Sequence, residues 1–183
     1  MKFIFISILS IFFFLGFCCC NQQSSPLKKN KSIVISDSLI YDVINYLINH
    51  KEINRDIKSE YLASYQSPPF IFSLKSDSLL IKKLDNIFSV KDLEFIFSQK
   101  KQAESFVIDK RFIKGKKVIN RENLDSVNSY SSISFPLFNL DRSIVIIKTS
   151  YYCGAFCGHQ GIYLYKWNKS KLVLLKILQE DVY

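Results

Sequence analysis

The last forty or so residues constrain this chain most. "RSIVIIKTSYY", "GIYLYKW" and "KLVLLKIL" are rich in Ile, Val, Leu and Tyr, and only "CGAFCGHQ" and "NKS" join them. β-Branched and aromatic runs of this kind read as strands. Connections so short can link only antiparallel neighbours. A three-stranded C-terminal meander is therefore expected, and its apolar face needs a layer of helices to cover it.

The upstream chain supplies candidates for that layer. In "SDSLIYDVINYLINH" the rows Leu39, Val43, Leu47 and Ile40, Ile44, Ile48 make one apolar stripe, with Asp42, Asn45 and Asn49 opposite. Such i, i+4 rows predict an amphipathic helix, started by Ser36 or Asp37 as cap. Its polar face carries no basic residues, so it is expected to pack on the domain's own sheet and not on a membrane. "SVKDLEFIFSQKK" begins with Ser89 and has Asp92 three residues on, a capping-box arrangement, followed by Val90, Leu93 and Phe97 at helical spacing. "SDSLLIKKLDNIF" is a shorter helical candidate. "SPPFIFSL" reads as a strand entered through Pro68 and Pro69, and "SFVID", "KKVIN" and "SISFPLF" as further short strands between turn residues. The expected class is α+β over residues 33–183: an antiparallel sheet with a C-terminal β-meander and helices packed on one face.

The N-terminus has a different character. Lys2 precedes an apolar run, Phe3 to Phe17, that stops at Cys18, Cys19 and Cys20. The run is shorter than the ~20 residues a spanning helix needs. A basic start, an apolar stretch and a processing point are the parts of an export signal. The cysteines make it resemble a bacterial lipoprotein signal, in which one cysteine is acylated and becomes the mature N-terminus. Cys20 fits that pattern best, with small Cys19 before it, and Cys18 and Cys19 are the alternatives. Residues 1–19 are thus expected to be a signal peptide. Residues 20–32, with Pro26 and Lys28, Lys29 and Lys31, are expected to be a flexible tether. The expected location is the bacterial cell envelope, with a membrane as partner through the lipid and an unidentified envelope protein or ligand as the other.

The formal charge of +9 does not point to nucleic acid. Lysines are scattered instead of forming one stripe, and no recognised binding motif accompanies them. Abundant Lys, Asn, Ile, Ser and Phe together match an AT-rich coding bias.

The stretch Thr149 to Trp167 holds the residues with most chemical potential. Cys153 and Cys157 flank Gly154-Ala155-Phe156, and antiparallel flanking strands set them face to face at disulfide distance. An oxidising envelope preserves such a bond. Three alternatives stay open, of which two free buried thiols are the plainest. A catalytic dithiol usually has two intervening residues at a helix start, whereas here there are three in a β context. A metal site would recruit Cys153, Cys157 and His159, without an evident fourth ligand, since His50 sits at a distant helix end. Gly154, Gly158 and Gly161 lack the lysine-serine pair of a phosphate loop and are explained by turn geometry. Tyr151, Tyr152, Tyr163, Tyr165 and Trp167 are expected in the core and in cross-strand pairs, with a ligand groove as the alternative. Asp92, Glu94 and Glu104 fall on a helix surface, and Asp109, Asp125 and Asp141 near turns. No acid–base pair, hydrolase elbow or cofactor motif stands out.

"ISFPLFNLDRSIVIIKTSYYCGAFCGHQGIYLYKWNKSKLVLLKI" resembles the C-terminal module of uncharacterised lipoproteins abundant in Bacteroidetes, and "FSVKDLEFIFSQKK" resembles the helix before it. The resemblance covers roughly the second half of the chain and implies an envelope setting, with no assigned activity or cofactor. The expected function is a lipid-anchored binding or structural accessory domain. An envelope thiol-redox or metal-binding protein using Cys153 and Cys157 is the alternative.

Overall fold

The computed structural model describes residues 34–65, 84, 86–154 and 157–182. The signal peptide and the tether expected over residues 1–32 lie outside them, as does the expected strand Ser67–Leu74. Of "SDSLLIKKLDNIF", only Leu84 and residues 86–88 fall inside. Among the described residues, no helix is long and apolar enough to cross a membrane.

The chain order is α1 (Asp37–Asn49), a 3-10 turn (Lys51–Ile53), β1 (Tyr61–Ala63), α2 (Val90–Ser98), α3 (Lys100–Glu104), β2 (Lys117–Ile119), β3 (Tyr130–Ile133), β4 (Leu137–Phe138), β5 (Ile144–Tyr152), β6 (Gly158–Trp167) and β7 (Leu172–Val182). The seven strands form one sheet in the order β2-β1-β3-β5-β6-β7, with β4 paired to β5. The C-terminal meander forms as its short connections require: β5 with β6 and β6 with β7 are both antiparallel.

The sheet as a whole is mixed, which corrects the antiparallel expectation. β1 runs parallel to β2 (Leu62↔Val118) and to β3 (Leu62↔Ser131). Parallel partners need long crossovers, and the long segments between these strands supply them. A three-residue strand carries no local mark of its direction.

β3 and β4 lie along the same edge of β5, Ile133 opposite Thr149 and Leu137 opposite Ile146. The break between them falls at Phe135-Pro136, where proline has no N–H to donate. "SISFPLF" is thus two strand pieces. "SFVID" forms no strand: Phe106 packs edge-on against Phe135 at 5.4 Å, and only Ile108 makes a ladder-like bond, its N–H donating to the Ser64 carbonyl at 2.8 Å.

α1 buries Ile40, Tyr41, Val43, Ile44, Leu47 and Ile48, the anticipated stripe with Tyr41 added and Leu39 only half-buried at its edge. Ser36 occupies the cap position, but its side chain makes no capping bond. At α2 the capping box is complete, Ser89 Oγ accepting from Asp92 N and Asp92 returning a bond to Ser89 N. The helix expected from this segment forms; its buried residues are Phe95 and Ile96, Leu93 packs partly buried against the core, and Val90 and Phe97 are exposed. Gln99 continues the inward face, where its amide bonds both the N–H and the carbonyl of Phe138. α1 and the segment after it cover the β6 face that carries Tyr165 and Trp167.

Candidate functional site

Alternation along β6 sets His159, Gly161, Tyr163 and Tyr165 on one face. Two of these carry phenol groups into the core, and a buried hydroxyl requires a partner. The partner comes from the polar segment after α1. Asp56, with no exposed surface, accepts hydrogen bonds at Oδ2 from Thr149 Oγ1 (2.6 Å) and Tyr163 Oη (2.9 Å). Its Oδ1 pairs with His159 Nδ1.

Asn54 holds the carboxylate in place. Its side-chain oxygen accepts from Asp56 N at 2.9 Å, and its amide donates to Thr149 Oγ1 and Tyr165 Oη, each at 3.0 Å. From the sheet, Ser131 Oγ donates to the Asp56 carbonyl at 2.7 Å. Lys116 Nζ donates to the carbonyls of Ile57 and Ser59, and burial holds its amine below the ordinary value.

The network continues outward. His159 Nε2 lies 3.0 Å from Glu180 Oε1 on β7, at ion-pair distance but without hydrogen-bond alignment. Glu180 in turn pairs with Arg55, and that hydrogen bond holds the Glu180 carboxyl below the usual carboxylate range. Burial pushes the Tyr163 and Tyr165 phenols far up, with the Asp56 charge adding to both, so both remain donors.

Gly161 is required by this packing. A Cβ there would stand 2.5 Å from Tyr163 Cζ and Oη, so the missing side chain is the space the phenol ring occupies. A register shift between Ile162 and Tyr163 accompanies the close approach.

Cys153 and Cys157 are joined as a disulfide, their Cα atoms 5.1 Å apart. Cys153 N–H also donates to the Cys157 carbonyl at 3.0 Å, and Gly154 takes a φ of +117° in the turn. The structure does not bring His159 to the sulfurs, because its ring nitrogens face Asp56 and Glu180. His50 stacks on Tyr46 at 3.9 Å. Asp56, His159 and Glu180 gather two carboxylates and an imidazole, but both ring nitrogens face carboxylate oxygens. Among the described residues, no three His, Cys, Asp or Glu side chains make a metal-ligating group.

The aromatic strand residues divide as packing demands. Tyr163, Tyr165 and Trp167 are buried, while Tyr152 stacks on its cross-strand partner Tyr130 at 5.0 Å. Asp109 and Asp141 serve their turns, each accepting the backbone N–H two residues on.

Sequence reasoning missed Asp56, Asn54, Thr149 and Glu180. One signal was present: a strand face reading His, Gly, Tyr, Tyr at alternate positions demands a buried acceptor opposite. No family model matches the chain, and no curated protein or solved structure matches it either.

Chemically, the arrangement is a clamp. Asp56 faces donors from β5 and β6, and Glu180 extends the chain to β7, so the segment after α1 is fixed to three adjacent strands.

Proposed function

We propose that this protein is a lipid-anchored binding domain of the bacterial cell envelope. The observation that carries the proposal is the N-terminal order Lys2, apolar Phe3–Phe17, Cys18–Cys20, followed by a polar lysine-containing stretch. A bridged Cys153–Cys157 pair suits an oxidising compartment and supports the same setting. The resemblance of the second half to Bacteroidetes lipoproteins points the same way. The clamp around Asp56 holds the domain together and is not itself the binding surface, because its donors and acceptors are directed at one another and not at an open cleft.

The intact mass of the native protein tests the anchor. A mature chain beginning at Cys18, Cys19 or Cys20 and carrying acyl chains is expected. An unmodified N-terminus, or a chain retaining Met1, sinks the proposal. Replacing all three cysteines by serine should leave the chain soluble or unprocessed.

A thiol-redox protein is the second reading, favoured by one observation: Cys157 is exposed at the end of the β5–β6 hairpin. A short closed loop contributes about 2 kcal/mol. As a staple, the bond should be resistant to glutathione, and Cys153→Ser with Cys157→Ser should fold with partner binding intact. A disulfide potential above about −200 mV, or loss of an activity in a fully folded double variant, favours the redox reading.

A further inference from the structure

β7 closes one edge of the sheet, and an edge strand offers its side chains and unpaired backbone groups to whatever lies beside it. Leu172 and Leu178 are buried and meet the needs of the core. Between them, Val173, Leu174, Leu175 and Ile177 are each between 39% and 49% exposed. Val173 lies opposite Lys166 and Leu174 opposite Tyr165, so both faces of the strand are apolar here. The β6–β7 ladder also shifts register twice, passing over Leu178 and Leu175. One of these bulged residues is turned into the core and the other out to solvent. The result is a rim that is apolar on both sides. Exposed apolar residues scattered singly need no explanation, but four within five positions do.

Three observations select what covers the rim. First, bulges bend an edge away from regular pairing, which disfavours an added strand from a second copy or a peptide. Second, the stretch from Lys166 to Leu178 holds four exposed lysines, Lys166, Lys169, Lys171 and Lys176, and no Asp or Glu. The acids Glu180 and Asp181 come only at the other end of the strand. Apolar side chains interleaved with lysines, whose stems are apolar and whose heads reach polar surroundings, match the boundary layer of an anionic bilayer. Third, Ser36 at the start of α1 lines one groove with Asn168 and Lys169 of the β6–β7 turn. Asp42, Asp141 and Arg142 share that groove. The chain therefore enters the domain beside the lysine end of β7. As a flexible coil, the expected tether over residues 20–32 spans about 20 Å on average, so this end is the one kept near the membrane.

We propose that Lys171–Ile177 lies against an anionic lipid surface. Val173, Leu174, Leu175 and Ile177 enter the boundary between head groups and acyl chains, the lysines pair with lipid phosphates, and the anchored domain is held in one orientation. The proposal rests on the membrane setting of the function proposed above and names the surface that the domain itself meets.

The full chain is held in a nanodisc by its acyl chains or, if unprocessed, by Phe3–Phe17. The test is therefore separate from the mass of the native N-terminus. Methyl resonances are read in discs doped with a gadolinium-chelating lipid, which broadens whatever lies near the bilayer. With about one-quarter phosphatidylglycerol in phosphatidylcholine, the methyls of Val173, Leu174, Leu175 and Ile177 should broaden several-fold more than in phosphatidylcholine alone, because each lysine adds attraction to an anionic surface. Val182, at the acidic end of the strand, should stay sharp. Lys171→Gln with Lys176→Gln should return the broadening to its level in neutral lipid. Unchanged methyl shifts at buried Leu62 and Ile147 show that this variant is folded. Equal broadening in neutral and anionic discs, none in either, or broadening of Val182 to the same degree overturns the proposal. Shifts of the rim methyls that depend on the number of chains per disc assign the edge to a second copy and overturn it too.

Discussion

Asp56 is a buried carboxylate opposite a histidine, a threonine and a tyrosine, all carried by β5 and β6. Removing it leaves three polar groups without their acceptor, and breaking a buried pair from one side is costly. Asp56→Ala should lose about 3–5 kcal/mol of stability in urea denaturation. A loss below ~1 kcal/mol would mean the segment after α1 contributes little to folding. The same site sets an alkaline limit. Burial first, and the Asp56 charge second, hold the Tyr163 phenol above its ordinary value. Its contribution is therefore full below about pH 10, the unfolded value, and is lost as the pH rises beyond it. Above that point the unfolded chain releases a proton that the folded chain keeps. Urea midpoints should fall through this range, and Tyr163→Phe should make the fall shallower. An unchanged slope would assign the effect to other groups. Asp56 was not legible in the sequence because "NRDIKS" has no periodicity and its partner His159 lies 103 residues away. The need for it was partly legible, since phenols alternating on one strand face cannot be buried unpaired.

At the scale of elements, the meander was readable because its evidence is local: short connections fix the neighbours and alternation fixes the faces. The details of β6 were not, because they depend on how one side chain lies over another. Gly161 was assigned to turn geometry, yet it sits within β6, and what it provides is room for the Tyr163 ring. Gly161→Ala should therefore destabilise by about 1–3 kcal/mol through overpacking. With Tyr163→Leu already present, the ring is gone, and the added methyl should cost near zero or stabilise the strand by about 0.5–1 kcal/mol. A double-mutant cycle measures the difference as a coupling energy. Equal costs in both backgrounds would show that backbone conformation, and not the ring, selects glycine. At α2 the spacing of Val90, Leu93 and Phe97 made the helix legible but not its inward side. Apolar residues lie on more than one side of that short helix, and tertiary contacts, the core packing of Phe95 and Ile96 and the docking of Gln99 on Phe138, set which side faces in.

Across the whole molecule, what was legible sorts by sequence separation. The β5–β6–β7 pairings close over short loops, whereas β1 meets β3 through Leu62 and Ser131, with α2, α3 and β2 between them in the chain. Those long parallel joints are the part that the sequence pattern does not reveal, and the same separation predicts the order of folding. Closing a long loop costs entropy before any contact offsets it, and the Cys153–Cys157 bond already closes the β5–β6 turn in the unfolded chain. The meander should thus be largely formed in the folding transition state, with β1 added later. Ile147→Val, in the centre of β5, should lose about 0.5–1.5 kcal/mol and slow folding, with a φ-value of roughly 0.5–0.8. Leu62→Ala, at a fully buried position of β1, should lose about 2–5 kcal/mol and act mainly by speeding unfolding, with φ of about 0–0.3. Stopped-flow chevrons on the oxidised protein measure both. If Leu62→Ala slows folding by its whole loss of stability, the parallel joint belongs to the nucleus, and sequence separation does not govern how this sheet assembles.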